Sequence, residues 1–292
     1  MQERVIMDTS RWIKEIISLQ KPDGSWGYFH TLSNPVKLQP ITTEQAIRRL
    51  KILGLTENDE PIQRTIKYLE RCLNGEIEIP DRREKFRDWA VFTSLMFAAW
   101  LKIFSPQNQM ALHIAEKWAV IIENAFCNHV YNRGNYIEAF TETFGIKPHN
   151  GRTTDFVSFY QVSILQGMLE PETEKKVIDY IINQDTGIYY IYDYKIASLP
   201  KVFASKQTSR YLSAIELLSG YDYSKERLSF VADWINENRD NNGYWDLGAA
   251  VKDGVNFPLS DSWRNIQNRR NDCTIRIERL LENLRYLPED KK

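Results

Sequence analysis

Three aspartates, Asp88, Asp155 and Asp272, and three arginines, Arg48, Arg152 and Arg210, stand at or beside the starts of stretches with helical apolar spacing. A carboxyl in such a place can act as a general acid if burial or hydrogen bonding keeps it protonated. Arginines beside exposed helix N-termini can receive a diphosphate or a carboxylate. The same stretches carry Trp89, Phe92, Phe97, Trp100, Phe156, Phe159, Tyr160 and Tyr211. Their rings could line a cavity, hold an apolar chain and stabilise a cation by roughly 0.5 to 2 kcal/mol per ring. Each reading has a plainer alternative. Thr and Asp at a helix start are N-caps worth about 1 kcal/mol, arginines there can be solvated surface, and helical spacing suits equally a ring that fills the layer between helices.

The elements that must position these residues are set by an internal repeat. Gly24, Gly75, Gly134, Gly187 and Gly243 recur at separations of 51, 59, 53 and 56 residues, most of them after a helix-like stretch and before an aromatic. The clearest copies are Gln20-Lys-Pro-Asp-Gly-Ser-Trp26 and Asn238-Arg-Asp-Asn-Asn-Gly-Tyr-Trp245, with Gln184-Asp-Thr-Gly-Ile-Tyr189 a shorter relative. A period near fifty makes each unit one helical hairpin that cannot bury its own apolar face, so hairpins must stack into an array or a closed ring. Asp8-Thr-Ser10 offers an N-cap for a first outer helix carrying Trp12, Ile13, Ile16 and Ile17, and Thr42-Thr-Glu-Gln45 reads as a capping box for a first inner helix that ends at Gly54. The alternation continues with an outer helix over Ile62 to Leu73 and an inner one over Trp89 to Phe104. Then come the pairs Met110 to Phe126 with Phe156 to Leu169, Val177 to Ile182 with Tyr211 to Leu218, and Leu228 to Ile235 with Ile275 to Leu284. No stretch alternates with period two between turn signals, so strands are expected to be negligible. The expectation is an all-α single domain over residues 1–292, with five to six hairpins. The connections at 127–152, 188–206 and 244–271 have room for short helices and are rich in Tyr and Trp, which makes them a candidate rim for a site.

Net charge is −1, with 38 Lys and Arg against 39 Asp and Glu, so no basic field draws nucleic acid or an anionic membrane. Cys72, Cys127 and Cys273 lie far apart with no CxxC, which suits reduced thiols in a cytoplasmic protein. The start Met1-Gln-Glu-Arg-Val-Ile-Met-Asp8 lacks the apolar run of a signal peptide, and no run approaches the length that spans a bilayer.

The element from Gln20 to Trp26, preceded by Trp12-Ile13 and followed by a Thr-capped helix, resembles the QxxxGxW repeat of squalene and oxidosqualene cyclases and of protein prenyltransferase β subunits. The resemblance implies an α/α toroid with inner helices around a central cavity. Inner helices starting at Thr43-Glu44, Asp88-Trp89, Thr154-Asp155, Gln207-Thr208 and Asp272-Cys273 would then converge on one mouth. It implies as well an isoprenoid substrate in an aromatic cavity, with acid-initiated cyclisation or prenyl transfer and Asp88, Asp155 or Asp272 as the acid. Trp89, Phe92, Trp100, Phe159, Tyr160, Tyr211, Arg48, Arg152 and Arg210 would bind substrate. The chain departs from the family's chemistry: it has no DxDD motif, and Asp272-Cys273 has the wrong spacing for the prenyltransferase zinc set. His30, His113, His129 and His149 form no HxxxH pair either, so no metal and no cofactor are expected. Two further readings stay open. One is a non-catalytic toroid that binds a lipid-like ligand or a protein partner. The other is a carbohydrate-active enzyme on an α/α barrel, where a DGxW turn such as Asp23-Gly-Ser-Trp26 also occurs and paired carboxylates face a cleft.

Overall fold

The computed structural model describes residues 10–285 apart from 32, 34–36, 38 and 129. Met1 to Thr9, with the expected cap residue Asp8, as well as Pro35 and His129, thus lie outside the described residues. Among the described residues the chain forms twelve α-helices and one 3-10 turn (249–251), with no strand. The helices are α1 (Arg11–Ser18), α2 (Thr43–Ile52), α3 (Glu60–Leu73), α4 (Trp89–Phe104), α5 (Gln109–Ala125), α6 (Arg133–Phe144), α7 (Phe159–Ile164), α8 (Pro171–Asn183), α9 (Lys206–Leu218), α10 (Ser224–Arg227), α11 (Ser229–Glu237) and α12 (Ile266–Arg285).

The repeat is physical at its two clearest copies. Lys21 N–H donates to Ser25 O at 2.8 Å and Gly24 N–H to Lys21 O at 3.0 Å, while Asp240 N–H donates to Tyr244 O at 2.9 Å and Gly243 N–H to Asp240 O at 3.0 Å. Both glycines are left-handed, with φ of 93° and 86°. Each following tryptophan is buried and is fixed by the same pair of bonds. Trp26 N–H donates to Thr43 Oγ1 at 2.9 Å and its indole to Ile16 O at 2.7 Å. Trp245 N–H donates to Thr274 Oγ1 at 3.1 Å and its indole to Ile235 O at 2.7 Å. The turn thus locks the end of one helix to a threonine of another, Thr43 at the start of α2 and Thr274 in the third turn of α12. At the first copy Gln20 Nε2 also reaches Gly24 O and Pro61 O, tying the turn to α3. The copy at Gly187 keeps the Gln184 to Gly187 O bond (3.3 Å) but not the left-handed glycine. Gly134 is no turn at all, because it lies inside α6.

The most apolar segment, α4, buries residues on all sides, from Phe92 through Leu95, Met96, Phe97 and Trp100 to Phe104, and packs against α3, α5 and α7. Contacts also join the two ends of the sequence. Arg11 N–H donates to Asp261 Oδ1, Trp12 Nε1 to Ser260 O at 3.0 Å, and the buried Arg49 of α2 to Val255 O at 2.9 Å and to Pro258 O. Across the interior, Arg276 of α12 pairs with Glu216 of α9 at 2.6 Å and bonds Ser209 and Ser213. Cys72 and Cys273 are buried, which pushes both thiols up to about 11, whereas Cys127 is exposed at the end of α5.

Two expectations are corrected. The helix expected over Phe156 to Leu169 is only α7, because residues 157–158 extend to pair with the turn at 188–192: Tyr189 N–H donates to Val157 O and Phe159 N–H to Tyr189 O, both at 3.1 Å. Its far end stops at Leu165 before the left-handed Gly167 (φ 68°). The last helix, α12, starts at Ile266, so Asp272 sits in its second turn and not at its head. The connection 127–152 holds the twelve-residue α6, while 188–206 holds no helix before α9 starts at Lys206.

Candidate functional site

The carboxylates singled out in the sequence are all engaged with backbone. Asp88 occupies the N-cap position of α4 but makes no capping bond. It accepts instead from His149 N–H (2.7 Å), Asn150 N–H (3.1 Å), Asn150 Nδ2 (2.9 Å) and the Thr153 hydroxyl. Burial would raise its pKa, but these bonds outweigh it and hold the carboxyl below its usual range, opposite to what a proton donor needs. Asp272, buried, gathers Leu259 N–H, Ser260 N–H and hydroxyl, and the Trp263 indole at 2.5 Å. Asp155 is exposed and turns back on Phe156 N–H at 2.6 Å. Each of the three acids thus clamps backbone of a loop.

The aromatics expected to line a cavity are core. Phe92, Trp100, Tyr160 and Tyr211 are at most 2% exposed and Phe159 is 7% exposed, so these rings are almost wholly enclosed by neighbouring side chains. Tyr211 is held apart from the others, its hydroxyl on Ile196 O at 2.9 Å and its ring against Tyr192 and Trp234. The rest form one contiguous run: Trp89 to Phe92 at 5.6 Å, Phe92 to Tyr160 at 5.8 Å, Tyr160 to Phe159 at 5.3 Å and Phe159 to Trp100 at 5.3 Å. Arg152 lies over Phe92 at 4.6 Å and Arg48 over Phe159 at 4.3 Å. Arg210 is left out, exposed and 3.8 Å from Asp193.

At the centre of this run is Glu44, a residue that reads in the sequence as part of a helix start. It is 1% exposed. Its carboxylate accepts from Thr31 N–H (2.9 Å), Thr31 Oγ1 (2.5 Å), Trp100 Nε1 (3.0 Å) and Tyr160 OH (2.7 Å), with Arg48 at 3.4 Å. Burial works to raise its pKa, yet Arg48, His30 and the donors from Thr31 and Tyr160 prevail and keep it ionised. The capping box at Thr42 and Gln45 is present as expected. The first N–H groups of α2 are spent on Tyr28 O and Phe29 O, so this helix end offers no free donors to an anion.

Above Glu44 opens a cleft of about 620 Å³. Its cations are Arg82, Arg83, Lys85 and Arg152, its carboxylates Asp81 and Glu84, and its rings Tyr28, Phe86 and Trp89, with His30 and Ser33 completing the wall. Asp81 is consumed by the loop opposite: it accepts from Phe29 N–H (2.6 Å), His30 N–H (2.9 Å) and Ser33 Oγ (2.5 Å). Glu84 pairs with Arg152 at 2.5 Å. That pair and the Asp88 clamp on residues 149–153 place Arg152 in the cleft. His30 is 7% exposed, and burial, the dominant influence, lowers its pKa against the pull of Glu44. Tyr190 leans on the same imidazole at 5.5 Å from a left-handed backbone (φ 73°), a conformation that bulky residues seldom adopt.

Of the predicted residues, Trp89 and Arg152 line the cleft, and Phe92, Trp100, Phe159, Tyr160 and Arg48 form the packed base around Glu44. Asp155, Asp272, Tyr211 and Arg210 lie elsewhere. The sequence reading missed His30, Asp81, Glu84 and the Arg82 to Phe86 segment as site residues. Their signal was the charge-dense run Asp81-Arg-Arg-Glu-Lys-Phe-Arg-Asp88 set directly before the most apolar helix. Among the described residues no group of His, Cys, Asp and Glu has the arrangement to hold a metal ion, and no single helix is long and apolar enough to cross a membrane. No family model matches the chain, and neither a curated protein nor a solved structure is significantly similar to it.

Proposed function

We propose that the chain is an α/α toroid that binds an amphipathic anion, a phosphate ester or acid carried on an apolar body, in the cleft bounded by Tyr28, Arg83, Phe86, Trp89 and Arg152. The observation that carries this reading is the contrast between the base and the cleft. The aromatic base is packed around Glu44, while the cleft beside it holds four cations against two carboxylates, with Arg152 paired to Glu84 and Asp81 held by the loop opposite, together with half-exposed rings. Cations suit a charged head and the rings an apolar or flat body. Ring closure is supported by the bonds from α1 and α2 to residues 255–261 and by the matching turns at Trp26 and Trp245. An isoprenoid diphosphate falls within this ligand class. Acid-initiated cyclisation does not fit a base filled by side chains, nor an Asp88 carboxyl held below its usual range by the bonds it accepts.

The test is calorimetric titration with geranyl diphosphate, naphthalene-2-sulfonate and a neutral oligosaccharide, with mass spectrometry of products from linear prenyl diphosphates and squalene. The expected result is binding of both anions, weakened at least tenfold by combined Arg83→Ala and Arg152→Ala, with no cyclised product. Tight binding of the neutral oligosaccharide alone would favour the carbohydrate reading, and a cyclised product would restore the cyclase.

A further inference from the structure

His30 stands where the cleft meets the packed base. The groups that face it come from every side: the Glu44 carboxylate from α2, Asp81 and Glu84 from the segment before α4, and Arg152 from the loop before α7. Three rings close around it, Phe92 of α4 at 6.1 Å, Tyr160 of α7 at 6.4 Å and Tyr190 of the 188–192 turn at 5.5 Å. The imidazole therefore lines a cleft walled by cations while feeling the charge of a buried carboxylate whose position four donors fix.

We propose that His30 is the proton acceptor of the cleft: an amphipathic anion binds together with a proton, which the imidazole holds between the bound anion and the Glu44 carboxylate. The inference rests on the cleft reading above. With the cleft empty, burial keeps the imidazole neutral and its pKa below the ordinary value. An anion bound beside the imidazole adds an opposite charge at short range, which raises that pKa. The proton comes from solvent and no bond of the ligand changes. Affinity must then rise as pH falls through the pKa of the complex and level off below the lower pKa of the empty protein. Specificity follows as well: ligands with more negative charge gain most at low pH.

Naphthalene-2-sulfonate is a suitable probe because its charge is constant between pH 5 and 8. Its affinity for the full chain is measured across that range by calorimetry in buffers of different ionisation enthalpy, and the His30 ring proton is followed by NMR with and without probe. The expected results are proton uptake at neutral pH, an upward move of the His30 titration on binding, and about a tenfold gain in affinity for each unit of that move. His30→Gln should lose both the proton uptake and the pH dependence of probe binding, whereas a variant that keeps both would overturn the inference. Binding with no proton uptake and an unmoved His30 titration would overturn this inference and leave the cleft reading intact. Absence of probe binding at every pH would instead remove the cleft reading and this inference with it.

Discussion

Glu44 ties α2 to three other pieces of chain, since it binds Thr31 of the preceding loop, Trp100 of α4 and Tyr160 of α7. Replacing it by alanine strands four donors and the Arg48 charge, and should cost about 3 kcal/mol, measured as a fall in the urea unfolding free energy. A change under about 0.5 kcal/mol would mean the cage is not formed. The pH dependence has a definite sign. Glu44 and Asp88 both have folded pKa values below those of an unfolded chain. Their stabilisation is therefore complete above the ordinary carboxylate range and is lost as pH falls through the lowered folded values. The urea midpoint should hold from neutral pH down to that range and drop beneath it, and the drop should be smaller in Glu44→Gln. A midpoint that falls equally in both proteins would assign acid sensitivity to other groups. The importance of Glu44 was hard to see in sequence because Thr42-Thr-Glu-Gln45 satisfies the capping rule completely. Local chemistry explains every residue there and leaves no anomaly to follow. One clue lay in the repeat, where Thr43 and Thr274 receive equivalent Trp N–H bonds, so that the register of Glu44 is filled by Ile275 in the last copy.

At the level of elements, the two tryptophan turns form a matched pair for experiment. Trp26→Phe and Trp245→Phe each keep a ring and remove one indole bond to a buried carbonyl, so both should lose about 1 to 3 kcal/mol and by similar amounts. Their glycines should differ. A Cβ at Gly24 would sit 2.3 Å from the Arg64 carbonyl of α3, whereas at Gly243 the nearest atom is the Arg239 guanidinium at 3.3 Å, a flexible group that can move. Both substitutions carry the left-handed penalty of about 1 to 2 kcal/mol, and Gly24→Ala adds about 1 to 3 kcal/mol of overpacking. Equal losses in the two alanine variants would mean that the first turn does not dock on α3 as described. Most helices were legible, because apolar spacing and caps are local signals: α2, α3, α4, α5 and α8 fall where the pattern places them. What was not legible is non-local. Residues 156–158 give up helix because Tyr189 offers them a backbone partner thirty residues away, and Asp272 reads as a cap because nothing in its neighbourhood reveals that Leu259, Ser260 and Trp263 compete for it.

For the molecule as a whole, the loop from 253 to 263 is the joint between the first and last hairpins. Arg49 is buried in it, its pKa lowered to about 10 by that burial, and it spends its guanidinium on Val255 O and Pro258 O. Arg49→Met keeps the volume but orphans two carbonyls. Limited proteolysis of that variant should cut first within 253–263, at least tenfold faster than in the wild type, while helix content by circular dichroism is unchanged. Cleavage starting elsewhere would show that the joint is not the weak point. The same packing also sorts the thiols. Cys72 and Cys273 are enclosed and Cys127 stands in solvent at the end of α5, so the folded chain should present one rapidly reacting sulfhydryl to a disulfide reagent and three after denaturation. The sequence therefore arrives with its own attachment point: a dye or spin label can be placed on Cys127 without a single engineered residue.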